Sequence, residues 1–405
     1  MQRTCRRIVL LSALALASSA HADSAGESIA DAITAGTAHV AVRVRYEGVD
    51  DAAFQTNASA VTVRTRLTWQ SATFRDFNLV LEADDVRAPE ERYDSTSNGR
   101  IGRPVVADPT GTDINRALIE WKHGASQVDI GRQRITLDNQ RFIGNSGWRQ
   151  NEQTFDGLYA QTNDLHNLQL SYGFIYNVDR VYGPTDGSQR AEWHGRVQLL
   201  HARLNAGSIG DVTAFGYFLD LQNAALQSNN TYGLLWTKRL EIGDGWTFPF
   251  AASYATQSDA GGNPTAYSAY YEQVETGVSK SKWTLAVGRE LLSGDATRPG
   301  HRFQTPLATL HAFQGWVDKF LVTPPQGIRD SYISLSRKTA ALTTIVAWHD
   351  FRAAAVDRSY GSEWNASVGV PFASHYEALV KAGRYTARGF AADTTKLWVM
   401  LTASF

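Results

Sequence analysis

Along most of this chain, apolar and polar side chains alternate one position at a time. Val40, Val42, Val44 and Tyr46 fall on one side of an extended segment, with Arg43, Arg45 and Glu47 on the other. Val61, Val63, Leu67 and Trp69 oppose Thr62, Arg64, Arg66 and Thr68, and Phe77, Leu79, Leu81 and Ala83 oppose Asn78, Glu82 and Asp84. A period of two marks β-strands whose two faces meet different surroundings. The last ten residues repeat it: Leu397, Val399, Leu401, Ala403 and Phe405 share a face, opposite Lys396, Thr402 and Ser404.

Such strands suit either a soluble sandwich, with the polar face in water, or a membrane barrel, with the polar face lining a lumen. The connections separate the two readings. Long ones fall near residues 48–59, 86–112, 136–153, 179–193, 223–229, 258–265, 292–327, 352–362 and 388–393. Short ones fall near 71–75, 123–126, 163–167, 206–211, 242–245, 277–281, 338–341 and 371–374. Long outer loops alternating with short periplasmic turns predict an all-β transmembrane antiparallel barrel, of an even strand number. The rhythm gives 18 strands, or 16 if the weakly patterned stretches 265–277 and beyond 327 are not strands. The connection at 292–327 is too long and too apolar for a free loop. Its Leu307, Leu310, Phe313, Trp316, Val317, Phe320 and Leu321 must be buried, so it is expected to fold into or across the barrel mouth.

The N-terminus agrees with export. Arg3, Arg6 and Arg7 precede an apolar run from Ile8 to Ala17, and Ala20-His21-Ala22 has the small-x-small form of a signal-peptide cleavage site. The expected organisation is a signal peptide over 1–22 and one barrel over 23–405. Cleavage removes Cys5, the only cysteine, and leaves no disulfide to form. It also takes three of 39 basic residues, so the 40 acidic ones are four in excess. That balance gives no reason to expect a nucleic-acid partner. Beyond the signal peptide no apolar run reaches about 18 residues, which excludes helical spans and leaves a closed barrel as the way to cross a bilayer. The terminal strand ending on Phe405 resembles the signal by which bacterial outer-membrane barrels are recognised. It implies the outer membrane as location, its lipid as surroundings and the barrel assembly machinery as a partner.

Between Val128 and Leu158 the chain reads VDIGRQRITLDNQRFIGNSGWRQNEQTFDGL, and His311 to Leu321 reads HAFQGWVDKFL. The first connection concentrates Arg141, Arg149, Asn139, Gln140, Asn145, Gln150, Asn151 and Gln153 with Phe142 and Trp148. Guanidinium forks pair with carboxylates, amides bond hydroxyls, and aromatic faces stack on sugar rings, so the set suits an anionic saccharide. It equally suits a loop fastened to the wall, with arginines paired to Asp138, Glu152 and Asp156. Both stretches resemble the alginate export family of outer-membrane porins. That resemblance implies an 18-stranded pore with an electropositive constriction, onto which Arg132, Arg134, Arg141 and Arg149 are carried over. Strand parity adds Arg43, Arg45, Arg64, Arg66 and Arg116 to the expected substrate path, although Arg64 and Arg66 also sit where they can pair with Glu82 and Asp84.

No HExxH, Walker or GxGxxG element and no paired Cys/His ligands occur, so no metal or nucleotide cofactor is expected. Three functions follow, in order: passage or export of an anionic polysaccharide of the alginate type; uptake of small anionic or aromatic nutrients; and an outer-membrane hydrolase. The last rests on His349-Asp350 alone, with no marked nucleophile, and a non-enzymatic pore is expected.

Overall fold

The computed structural model describes residues 28–405; the expected signal peptide and Cys5 lie outside them. Eighteen strands follow in chain order: β1 (Thr37–Asp51), β2 (Ala58–Gln70), β3 (Phe77–Arg92), β4 (Gly111–His123), β5 (Ser126–Gln133) and β6 (Thr154–Leu165). Next come β7 (Leu168–Asp179), β8 (Glu192–Asn205), β9 (Asp211–Leu221), β10 (Asn229–Ile242), β11 (Trp246–Asp259) and β12 (Ser268–Lys280). The last are β13 (Trp283–Leu292), β14 (Ile328–Lys338), β15 (Thr343–Arg352), β16 (Ser359–Phe372), β17 (Tyr376–Ala387) and β18 (Thr394–Ser404). Each pairs antiparallel with its neighbours, and β18 returns to β1 with Ala41 opposite Ser404 and Asp51 opposite Thr394. Closure removes both sheet edges, the condition for a sheet to cross hydrocarbon. Among the described residues no helix is long and apolar enough to span a membrane.

The alternation sorts the side chains as the sequence predicts. Val44, Leu67, Leu81, Leu397, Val399, Leu401 and Phe405 are exposed on the outside, where lipid covers them. Arg45, Glu47, Arg64, Glu82 and Lys396 are buried on the inside. Trp398 follows parity rather than polarity: it points inward and is fully buried. The weakly patterned stretches are strands after all, as β12 and β14, so the count is 18 and not 16. Both chain ends of the barrel lie at the end with the short turns, which is periplasmic in an outer-membrane barrel. These turns use left-handed residues such as Asn167 (φ 57°) and Asp244 (φ 46°).

Two outer loops fold inward. The third, residues 134–153, joins β5 to β6, and the seventh, residues 293–327, joins β13 to β14. Their apolar side chains pack on the inner wall: Phe142 lies 4.9 Å from Phe215, and Phe320 lies 4.6 Å from Phe351, ring centre to ring centre. Leu307, Val317 and Phe320 are buried, as the sequence requires, and so is Phe303. Leu310, Phe313, Trp316 and Leu321 are only half-buried.

Candidate functional site

The two stretches that stood out in the sequence meet inside the barrel. Trp148 of the third loop stacks on His311 of the seventh, 4.6 Å apart and 6° from parallel. The Gly144 amide and the Gln153 side-chain amide both donate to the Leu307 carbonyl at 2.9 Å. Arg149 reaches Asp318 at 2.9 Å and Glu47 of β1 at 3.3 Å, while Lys396 of β18 reaches Asp318 at 3.0 Å. Lys381 of β17 closes the group, its ammonium 4.2 Å from the Trp148 ring centre and 3.9 Å from that of Trp316. An ammonium over indole faces is attracted by their quadrupoles, more strongly where water is excluded. Burial holds the His311 imidazole down to about 3. Against its own burial, Asp318 is kept far below the usual carboxylate range by His311, Lys396 and Arg149.

A backbone cradle adds a further tie. Gln314 (φ 51°) and Gly315 (φ 80°) turn left-handed, so that the Trp316 and Val317 amides both point at Glu363 of β16, at 2.5 and 2.9 Å. Successive amides in such a turn form a concave anion site. Here the acceptor is a wall carboxyl, and Gly315 suits the left-handed turn, where a Cβ would meet that carboxyl at 2.5 Å.

Eight of the nine arginines lie on the inner face or on the third loop; Arg132 of β5 instead falls on the outward row of Ile130, directly opposite Asp156. Carboxylates accompany all of the nine but Arg43. Arg45 is fully buried, 2.8 Å from Glu47 and 3.6 Å from Asp108, and its guanidinium donates to the Trp148 carbonyl at 2.6 Å. Arg64 reaches Glu152 at 3.8 Å, and Arg66 binds Asp84 at 2.6 Å and also Glu152. Arg132 pairs with Asp156 at 2.7 Å and Asp179 at 2.8 Å. Arg134 pairs with Glu152 at 2.5 Å and with Glu82, and Arg116 lies 3.9 Å from Glu82. Arg141 crosses to Glu290 of β13 at 2.6 Å and is 1% exposed. Arg43 instead donates to the carbonyls of Gly147 and Arg149, at 3.1 and 3.3 Å. Burial pushes the Glu152 carboxyl up, but Arg66 and Arg134 hold it at about 2. Arg116 and Arg134 keep 24% of their side chains exposed, and Arg132 20%.

Opposite this ladder lies a cavity of about 550 Å³, walled by β8 to β15 and roofed by residues 312–316 of the seventh loop. Phe313, Trp316, Tyr271 and Tyr332 border it, with Glu275, Glu290, Asp330 and Asp138. Tyr332 donates to Glu275 at 2.6 Å, and Asp138 meets His201 at 3.0 Å.

Of the carboxylates the sequence offered as arginine partners, Glu152, Asp156, Glu82 and Asp84 are such partners, whereas Asp138 meets His201. Glu47, Glu290 and Asp318 went unassigned, and Lys381, Lys396 and Trp398 complete the loop contacts. Strand parity placed Glu47 and Lys396 inward; nothing local marked Glu290 or Lys381 as partners of loops far away in sequence. His349 pairs through Nδ1 with Asp330 at 2.9 Å rather than with the adjacent Asp350. Among the described residues no hydroxyl hydrogen-bonds to His349, and no group of three or more His, Cys, Asp or Glu is disposed to hold a metal.

The model of the alginate export family matches residues 37–223. Among solved structures, Pseudomonas aeruginosa OccK1 (OpdK) superposes with a TM-score of 0.70 at 12% identity, covering 92% of this chain and 99% of that one. Pseudomonas aeruginosa OpdK with vanillate gives 0.70 at 13%, with the same coverage. Acinetobacter baumannii OccAB2 gives 0.71 at 14%, again over 92% and 99%. At these identities the likeness is one of fold. No curated protein sequence matches the chain.

Proposed function

We propose that this bacterial outer-membrane barrel, matched by the alginate export family over residues 37–223, is a porin for small solutes, with anionic and aromatic nutrients as the preferred class. The observation that carries this reading is the pair of infolded loops, fastened to each other through Trp148–His311 and Arg149–Asp318 and to the wall through Arg141–Glu290. They narrow the lumen and leave beside them a cavity of about 550 Å³, within the size range of small-molecule sites. Arg116 and Arg134 offer partly exposed guanidinium faces to a carboxylate, and Phe313 and Tyr332 offer faces to an aromatic ring. One structure of similar fold was solved with vanillate, a small aromatic carboxylate, which supports the same class here. The pore is passive: it orders charges along a path and performs no chemistry.

Passage of an anionic polysaccharide is the second reading, favoured by the family whose model matches the N-terminal half. A polymer needs the path clear along its whole length, and the fastened loops oppose that unless they move. Purified protein in planar bilayers separates the two. Small-solute passage predicts concentration-dependent block by benzoate and weak block by oligouronates; strong oligouronate block with no response to benzoate would reverse the order.

A further inference from the structure

The outer wall is chemically uneven at its periplasmic rim. On β11 and β12, Trp246 and Lys280 both point outward, with the ammonium 4.4 Å from the indole centre. On β13 and β14 the arrangement recurs: Arg337 lies 5.6 Å from the Trp283 ring centre. Lys282 stands exposed in the turn between β12 and β13, and its carbonyl accepts from the Lys338 amide at 2.9 Å, which laces the two rims together. Among the described residues the lysines in ion pairs are Lys122, Lys319 and Lys396, and no carboxylate pairs with Lys280, Lys282 or Arg337.

The rim at β16 to β18 is built otherwise. There Phe372 stacks on Tyr376 at 5.5 Å and His375 on Phe405 at 5.2 Å, with neither lysine nor arginine in the turn. Both arcs have the aromatic belt that settles at the headgroup level of a bilayer. Only one arc carries unpaired cations on it. Directly above that arc the outward side chains are apolar, with Val274, Leu285 and Val287 exposed, so its neighbours are acyl chains and their headgroups. Long basic side chains at such a boundary lay their stems on apolar surface and present the charge to phosphates.

We propose that the Trp246–Lys280 and Trp283–Arg337 pairs, with Lys282, form a docking arc for the anionic phospholipid headgroups of the periplasmic leaflet. Indole rings fix the depth, and the three cations select charge. The arc retains anionic lipid at its own stretch of the barrel surface and leaves solute passage to the lumen.

The test is native mass spectrometry of the protein released from bilayers of equal phosphatidylglycerol and phosphatidylcholine. Wild type is expected to retain phosphatidylglycerol at least about fivefold over phosphatidylcholine, the factor expected from even one basic residue near an anionic surface. A Lys280→Gln/Lys282→Gln/Arg337→Gln variant should fall to parity, while His375→Gln on the other arc should leave the ratio unchanged. Heat-modifiable migration on cold gels confirms that each variant is folded. Parity in wild type, or undiminished enrichment in the triple variant, would overturn the proposal.

Discussion

On the β1 to β6 side of the lumen every guanidinium is met by a carboxylate or a carbonyl; on the β9 to β15 side, rings, hydroxyls and carboxylates border open space. Both walls come from strands of the same alternation, so the local pattern does not make the difference. The third loop does. It returns to the wall it leaves, bringing Glu152 to Arg66 and Arg134 and the Trp148 carbonyl to Arg45, and its own Arg141 crosses to Glu290. A buried charge left unpaired is costly, so a wall dense in arginine dictates where a loop with complementary groups settles. The other wall offers few such groups, and there the seventh loop roofs a cavity instead of filling it.

The largest effect is expected where this fastening is most buried. Arg141→Ala leaves Glu290 unpaired beside Tyr271 and Gln314, and breaking a buried pair in this way costs about 3–5 kcal/mol. Gln273→Ala on the cavity wall should change stability by no more than about 0.5 kcal/mol, as for a substitution with no buried partner. Urea unfolding of the refolded barrel in lipid measures both. Comparable losses would mean that the cavity wall is as tightly packed as the ladder.

A second comparison turns on which face tolerates charge. Ile333 is exposed on the outside of β14, and Ser334 lines the cavity. Ile333→Arg should cost about 2–4 kcal/mol, the range for an arginine near the bilayer midplane, and Ser334→Arg far less. Thr62→Arg shows how the walls differ: Thr62 also points inward, but it is 1% exposed and accepts a hydrogen bond from Gln150 at 2.9 Å. Inward position therefore protects Ser334 and not Thr62. Equal tolerance at the two inward sites would erase the distinction between the walls.

Acid should loosen the fastened side first. Docked, Glu152 titrates near 2 rather than 4.5, so its stabilisation is complete above about 4.5 and is lost as the pH falls toward 2. His311 is neutral when docked, with a value near 3 against 6.5; an undocked imidazole takes up a proton below 6.5, and so docking weakens between about 6.5 and 3. The signs agree. Single-channel conductance should rise and become noisier through that window, with His311→Gln narrowing it to the Glu152 range. Conductance flat from pH 7 to 3 would contradict this.

The smallest effects are expected at the partly exposed guanidinium groups. Single Ala substitutions at Arg116 or Arg134 should leave the barrel folded and shift the reversal potential toward cation passage, with the shift shrinking as salt rises. Arg116 is the cleaner of the two, because its one carboxylate contact is long, at 3.9 Å. Unchanged selectivity in both would move the selective step to the cavity wall.

The sequence by itself determined the barrel, an even strand number of 18 or 16, the alternating facing along the strands and the inward fold of the segment at 292–327. The physical reason is that the period of two, the closure rule and the mismatch between an apolar connection and water act locally and can be read in order along the chain. It also identified the two stretches around Trp148 and His311, and placed Arg66 where it meets Asp84. It did not reveal that those stretches bind one another, nor that Arg141 ends on Glu290, 149 residues away. Pairings at that separation carry no periodic signal. They are set by where closure of the barrel brings the strands around β1, β13 and β17, and by the requirement that each buried charge find its complement there. Only the tertiary structure decided which inward arginines are consumed in fastening the loops and which keep a face toward the lumen.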